Sequence, residues 1–135
     1  MRRTKNDRAI SLRDRVMGLI VEYREKNLRC PIVVEGERDC RSLRSLGFHG
    51  DIYKVNSGLT LAEFSEAMAR GHRELILLMD FDSKGREITE RLRVLLSSEG
   101  CIVDLTMWKR TKEMLNIAEV EEMHSAVERI NQTKL

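Results

Sequence analysis

The chain has 135 residues, 41% apolar and 34% charged, a balance that suits one soluble globular domain and excludes disordered, collagen-like and proline-rich classes. Aromatic residues make up 4%, too few for a nucleic-acid surface built on stacked aromatic platforms. The net charge of +2 is uneven: residues 1–30 carry nine Lys and Arg against four Asp and Glu, whereas residues 31–135 carry fifteen against eighteen.

The first seven residues are charged and polar and read as frayed. A basic amphipathic helix is expected over about 8–27, with Leu12, Val16, Leu19, Ile20 and Tyr23 recurring at helical spacing. Its charge fits either a solvated arginine-rich face or an arm that holds a phosphate backbone. The Arg2-Arg3-Thr4-Lys5 start has the same two readings. Pro31–Val34 is a short β-branched apolar run that suits a strand buried on both faces. A helix over 38–46 ends at Gly47. Asp51–Val55 reads as a second strand, followed by the turn Asn56-Ser57-Gly58. Thr60 and Glu63 form a capping-box pattern that opens a helix reaching Gly71. Glu74–Met79 is the strongest strand, and a helix from about Gly85 to Ser98 follows it. Cys101–Leu105 is the fourth strand, and a C-terminal helix is expected over about 116–131.

Strands and helices alternate at spacings too long for hairpins. The expected fold is therefore α/β, a four-stranded parallel sheet flanked by helices, with extra helices at both ends. The whole of 1–135 is read as one domain. Cys30, Cys40 and Cys101 match no zinc spacing, no apolar run reaches membrane length, and a cytoplasmic location is expected.

The acids carry the chemistry. Glu35 stands at the end of the first strand, and Asp80 and Asp82 at the end of the third. Ligands of open parallel sheets bind outside the carboxyl ends of the strands. If these two strands are neighbours, three carboxylates meet at one edge, and a divalent cation is the usual resolution of their repulsion. Oxygen-only ligation favours Mg²⁺ or Mn²⁺ over zinc. Gly36 and Gly85 follow the acids and allow tight turns and close approach of the backbone to a ligand.

Val33-Val34-Glu35-Gly36-Glu37-Arg38-Asp39 together with Leu77-Leu78-Met79-Asp80-Phe81-Asp82-Ser83-Lys84-Gly85 resembles the Toprim domain. Bacterial-type primases, type IA and type II topoisomerases and two groups of nucleases share that domain. The resemblance spans about 31–106, and at this size it is most like the small stand-alone primase-like Toprim proteins of archaea. It implies a Rossmann-like parallel sheet, Glu35 as general acid/base, and Glu35, Asp80 and Asp82 around one or two Mg²⁺ ions. Gly58 falls where the family carries a glycine near the site. Many members have a third acid where this chain has Lys84, so a second metal would need help from Glu37 or Asp39.

The resemblance implies phosphoryl transfer on RNA or DNA, nuclease-like or primase-like, with Lys84 as a candidate phosphate contact. The alternative is a non-catalytic nucleic-acid or ribosome-associated module that keeps the Mg²⁺ site. A phosphoacceptor receiver would need a lysine at a later strand end, where this chain has Thr106-Met107. His49, His72 and His124 show no ligand spacing. Trp108, beside Lys109, Arg110 and Lys112, reads either as a base-stacking residue or as partly buried packing.

Overall fold

The apolar run after Pro31 forms β1 (Ile32–Val34), whose three residues have no exposed surface. Such a strand must sit between covered faces, and the computed structural model, which describes residues 5–132 and side chains from Ser11, places it so. The elements in order are α1 (Lys5–Asn27), β1, α2 (Glu37–Ser45), β2 (Ile52–Lys54), α3 (Leu61–Gly71), β3 (Glu74–Leu77), α4 (Ser83–Ser98), β4 (Ile102–Asp104), α5 (Thr106–Met114), a 3₁₀ turn at Val120–Glu122, and α6 (Met123–Asn131). All four strands are parallel, in the order β2-β1-β3-β4. This is the α/β sheet flanked by helices that the alternation of strands and helices predicts.

Side chains alternate across a strand, and the two cores follow that period. Ile32, Val34, Ile76 and Leu78 enter one core with Leu19, Ile20 and Tyr23 of α1, Leu43 of α2, Met107 and Trp108 of α5, and Met123 and Val127 of α6. Val33, Leu75, Leu77 and Met79 enter the other, with Phe64 of α3 and Leu92 and Leu96 of α4. Each such fully buried side chain contributes about 1.5–3 kcal/mol relative to exposure. Thr60 caps α3 as its pattern predicts, accepting from the Glu63 N–H while Glu63 accepts from the Thr60 N–H.

Three local expectations are corrected. Lys5–Asp7 belong to α1 rather than to a frayed start, while Arg2, Arg3 and Thr4 lie outside the described residues. The final helix begins at Met123, not at 116, because Asn116–Glu119 runs extended and then tightens into the 3₁₀ turn. Thr106–Met114 is a separate helix that no expected element covers.

The edge of the sheet away from the acids is held by a small polar network. Lys26 Nζ lies 2.6 Å from Asp104 Oδ2 and 2.7 Å from Glu74 Oε2, and the Tyr23 hydroxyl donates to Asp104 at 2.9 Å. Burial alone would raise the Asp104 carboxyl. Hydrogen bonds from Lys26, the Thr106 N–H and Tyr23 outweigh it and hold the carboxyl below its ordinary value. Burial and the Asp104 carboxylate push the Tyr23 phenol up to about 12. A depressed carboxyl stabilises the fold above its unfolded value of about 3.9 and loses that stabilisation as pH falls through the folded value. Lys26→Met leaves Asp104 without its cation and is expected to cost about 2 kcal/mol at neutral pH. Denaturant unfolding at several pH values checks this, and the gap between wild type and variant should shrink below about pH 4.

Candidate functional site

The chain runs from β1 outward to β2, then crosses back to β3 on the other side of β1, so the sheet's direction of growth reverses between β1 and β3. Ligand crevices of open α/β sheets lie at this switch point, outside the carboxyl ends of the strands. Glu35 and Asp80 flank it. The pairing of β1 with β3 puts Ile32 opposite Ile76 and Val33 opposite Leu77, and the Leu78 N–H donates to the Val33 carbonyl at 2.9 Å. The ladder then changes partner. The Glu35 carbonyl accepts from the Asn56 N–H at 3.0 Å, and the Asp80 N–H donates instead to Glu35 Oε2 at 2.8 Å. One carboxylate thus continues the sheet, which fixes it over the β3 terminus.

Asp80 is held from the other side. Its Oδ1 accepts from the Val120 N–H at 2.9 Å, its carbonyl accepts from the Trp108 indole at 3.4 Å, and the next residue, Phe81, donates its N–H to the Ala118 carbonyl at 2.8 Å. Trp108 is therefore packed, 9% exposed and stacked on Phe81 at 6.4 Å, rather than offered to a base. Asp82 caps α4, its Oδ1 accepting from the Gly85 N–H at 2.7 Å. Gly85 is required for packing: a Cβ there would lie 2.0 Å from the Asp80 carbonyl oxygen. Gly36 is not required in this way, since its φ of −149° is ordinary extended backbone and a Cβ would touch only Asn56 Nδ2 at 3.7 Å.

The cleft beside these groups holds about 380 Å³ and is lined by Glu35, Gly36, Asp39, Asn56, Asp80, Glu119 and Glu121 among others. Asp39, 6% exposed, accepts from the Gly36 N–H at 3.0 Å. Glu37 also lines the cleft, exposed and paired with Lys54 at 2.7 Å. Glu119 and Glu121 are additions that the strand-end pattern does not reach, and the acidic run around 119–122 is their only signal in the sequence.

Burial is the main cause that raises the Glu35 carboxyl, and the charges of Asp80, Asp39 and Asp82 raise it further against the Asp80 N–H. Burial, then Asp82 and Glu121, raise Asp80. Burial, with Asp80 and Glu121, raises Asp39. No Lys or Arg among the described residues forms an ion pair with Glu35, Asp39, Asp80 or Asp82.

Lys84 and Gly58 are not in this cleft. They line a neighbouring one of about 650 Å³ with Asn56, Leu59 and Arg91, and Asn56 is common to both. Gly58 has a φ of 85°, which an L side chain would strain. Of the histidines, His72 lies against the Tyr53 ring and His124 beside Glu128, away from the carboxylates.

The Toprim-like family pattern matches residues 32–118, from β1 to Ala118, whose carbonyl holds the Phe81 N–H. The chain belongs to the Toprim-like family. It is similar to a UPF0292 protein of Thermoplasma volcanium, 40% identical over 107 residues that cover 79% of this chain and 90% of the relative. A UPF0292 protein of Thermococcus kodakarensis is 34% identical over 118 residues, 86% of each chain. A solved structure of a protein from Aquifex aeolicus superposes with a TM-score of 0.70 at 28% identity, covering 78% of this chain and 95% of that one. Toprim membership associates the chain with metal-dependent nucleic-acid function. No helix among the described residues is long and apolar enough to cross a membrane.

The donor set suits a hard divalent cation. It is all carboxylate oxygen, and burial, with the neighbouring negative charges, raises the proton affinity of Glu35, Asp39 and Asp80. Among the described residues no three acids, histidines or cysteines form a ready-made metal cage. One oxygen each of Glu35, Asp80 and Asp82 is engaged by a backbone N–H. Mg²⁺ keeps several waters and commonly takes only one or two carboxylates together with substrate phosphates.

Proposed function

We propose that this Toprim protein carries out Mg²⁺-dependent phosphoryl transfer on nucleic acid, nuclease-like or primase-like, at the cleft between β1 and β3. The observation that carries the reading is the hydrogen bond from the Asp80 N–H to Glu35, which holds a half-buried carboxyl of raised proton affinity against a second carboxylate at the switch point. Asp80 and Asp82 would hold the metal, with Glu35 beside them. When bound, Mg²⁺ supplies positive charge to the phosphoryl oxygens and lowers the barrier to displacement.

The protein's own groups do the rest. Glu35 Oε2 is engaged by the Asp80 N–H, so its transferable proton resides on Oε1. From there Glu35 gives a proton to the leaving oxygen or takes one from the attacking oxygen. Burial raises that proton affinity most, and the negative charges of Asp80, Asp39 and Asp82 add to it. Lys84, exposed in the first turn of α4, and Gly58 offer the neighbouring cleft to a flanking nucleotide.

A second reading is a nucleic-acid or ribosome-associated binding module that keeps the Mg²⁺ site without turnover. The engagement of Asp82 in capping α4 favours it, since one of its two oxygens is already committed to the helix. Incubating the protein with labelled structured RNA, single-stranded DNA and nucleotides, with and without Mg²⁺, separates the two. Turnover in wild type that is lost in Glu35→Gln and Asp80→Asn supports phosphoryl transfer. Equal behaviour of all three proteins in every assay contradicts it and leaves the binding module.

A further inference from the structure

Between α2 and the segment entering α6 lies a cleft of about 680 Å³ that meets the carboxylate cleft at Arg38 and Glu121. Its chemistry is the reverse. Arg38 and Arg41 line it from α2 and Arg129 from α6, with the hydroxyls of Ser42, Ser45 and Ser125 between them.

The acids at its margin are turned to other partners. Glu122 Oε2 accepts from the Ala118 N–H at 3.0 Å and the Glu119 N–H at 3.4 Å. The charge of Glu121 acts on Asp39 and Asp80, on the carboxylate side. Arg38 enters no ion pair among the described residues. Ser42 is 6% exposed, and its Oγ accepts from the His124 N–H at 3.1 Å. Nothing among the described residues accepts the Ser42 hydroxyl proton, so it is available to a ligand. Exposed guanidinium forks, of which Arg41 lies 3.5 Å from Glu37, beside the buried Ser42 hydroxyl and the exposed hydroxyls of Ser45 and Ser125 match the oxygens of a phosphoryl group, which accept several hydrogen bonds at once.

We infer that this cleft receives a phosphoryl group of the nucleic-acid strand whose neighbouring phosphate lies at the carboxylates. The inference rests on the proposed function and names the strand's course: across the carboxyl edge of the sheet, from the acids toward α2 and α6. A terminal phosphate monoester and an internal diester share the chemistry, and the strand's ends distinguish them.

The test is fluorescence anisotropy in EDTA, so that binding is read without turnover. The probes are short single-stranded RNA and DNA carrying a 5′-phosphate, a 5′-hydroxyl or a 3′-phosphate. Arg38→Ala and Arg41→Ala, both at exposed positions of α2, are each expected to bind roughly ten-fold more weakly. The dependence of log K on log salt should become shallower by about 0.7 for each phosphate that a variant no longer neutralises. Arg38→Lys should recover part of the affinity. A loss confined to one phosphorylated end assigns a terminal group, and an equal loss on every probe assigns an internal phosphate. Either result supports the cleft. Wild-type affinity and salt slope in both alanine variants overturn it. The same holds if the arginine effect appears only with an acidic peptide as ligand. Absence of turnover by wild type with Mg²⁺, alongside an intact arginine effect on binding in EDTA, overturns the proposed function and leaves the cleft. No binding by wild type to any strand in EDTA overturns the cleft and leaves the proposed function to its own turnover assay.

Discussion

Glu35→Gln is expected to lower phosphoryl transfer by roughly 10²–10⁴-fold, the range lost with a general acid or base. The amide keeps the size of the side chain and can still accept from the Asp80 N–H, so the sheet terminus should stay in place. What disappears is the ability to exchange a proton at a carboxyl whose affinity for it is raised by burial and by the charges of Asp80, Asp39 and Asp82. Asp80→Asn should differ. It removes negative charge from the metal's position and weakens the acceptor for the Val120 N–H, so both turnover and Mg²⁺ affinity should fall. Single-turnover rates together with metal titrations distinguish the two variants. A Glu35→Gln protein with the wild-type rate would remove Glu35 from the chemistry.

Gly85→Ala is expected to be the most damaging single methyl group at the carboxylate site. The added Cβ would meet the Asp80 carbonyl carbon at 2.5 Å as well as its oxygen at 2.0 Å, and both are backbone atoms that cannot rotate aside. Either α4 moves away from β3 or the Asp80 loop moves off Glu35. Overpacking of this kind costs about 3 kcal/mol, which for a chain of this size lowers Tm by roughly 10 °C. Turnover should fall even where the variant remains folded, because the clash acts on the residue that positions the site. Calorimetric melting and activity at a temperature well below the variant's Tm check the two effects separately. A variant with unchanged Tm and activity would mean that the α4 junction yields freely.

The parts of the site that are legible in the sequence belong to side chains with strong local signals. Val33 and Leu75–Met79 form apolar runs that only a covered strand explains, and Glu35, Asp80 and Asp82 stand where those runs stop. The neighbouring of β1 and β3 follows from parallel topology, and it alone turns separate acids into a cluster. What is not legible is held by backbone. The Val120 N–H and the Ala118 carbonyl pin Asp80 and Phe81, and every residue carries such groups, so no pattern announces them. The same pinning explains why Asn116–Glu119 is extended rather than helical: it crosses the site before the chain turns into α6. Thr106–Met114 escapes the pattern because its buried positions, Met107, Trp108 and Thr111, are few and mixed with charge. Gly36 suggests more than the backbone needs, since a glycine after an acid gives the same signal whether or not a side chain would fit there.

The carboxylate cluster also sets a direction for stability. Glu35, Asp39 and Asp80 have raised proton affinities in the fold, so the folded chain binds protons that the unfolded chain releases. Their contribution therefore declines as pH rises from the ordinary carboxylate range through the raised folded values. A bound divalent cation opposes that decline and displaces the protons.

Calorimetric titration of the metal-free protein with Mg²⁺ at neutral pH, repeated in buffers of different ionisation heat, tests the central claim most directly. The carboxylate site predicts saturable binding, with the dependence of the heat on buffer reporting any protons displaced, and the binding lost in Asp80→Asn and weakened in Asp82→Asn. A wild-type titration without saturable heat, or one that Asp80→Asn reproduces unchanged, would contradict it.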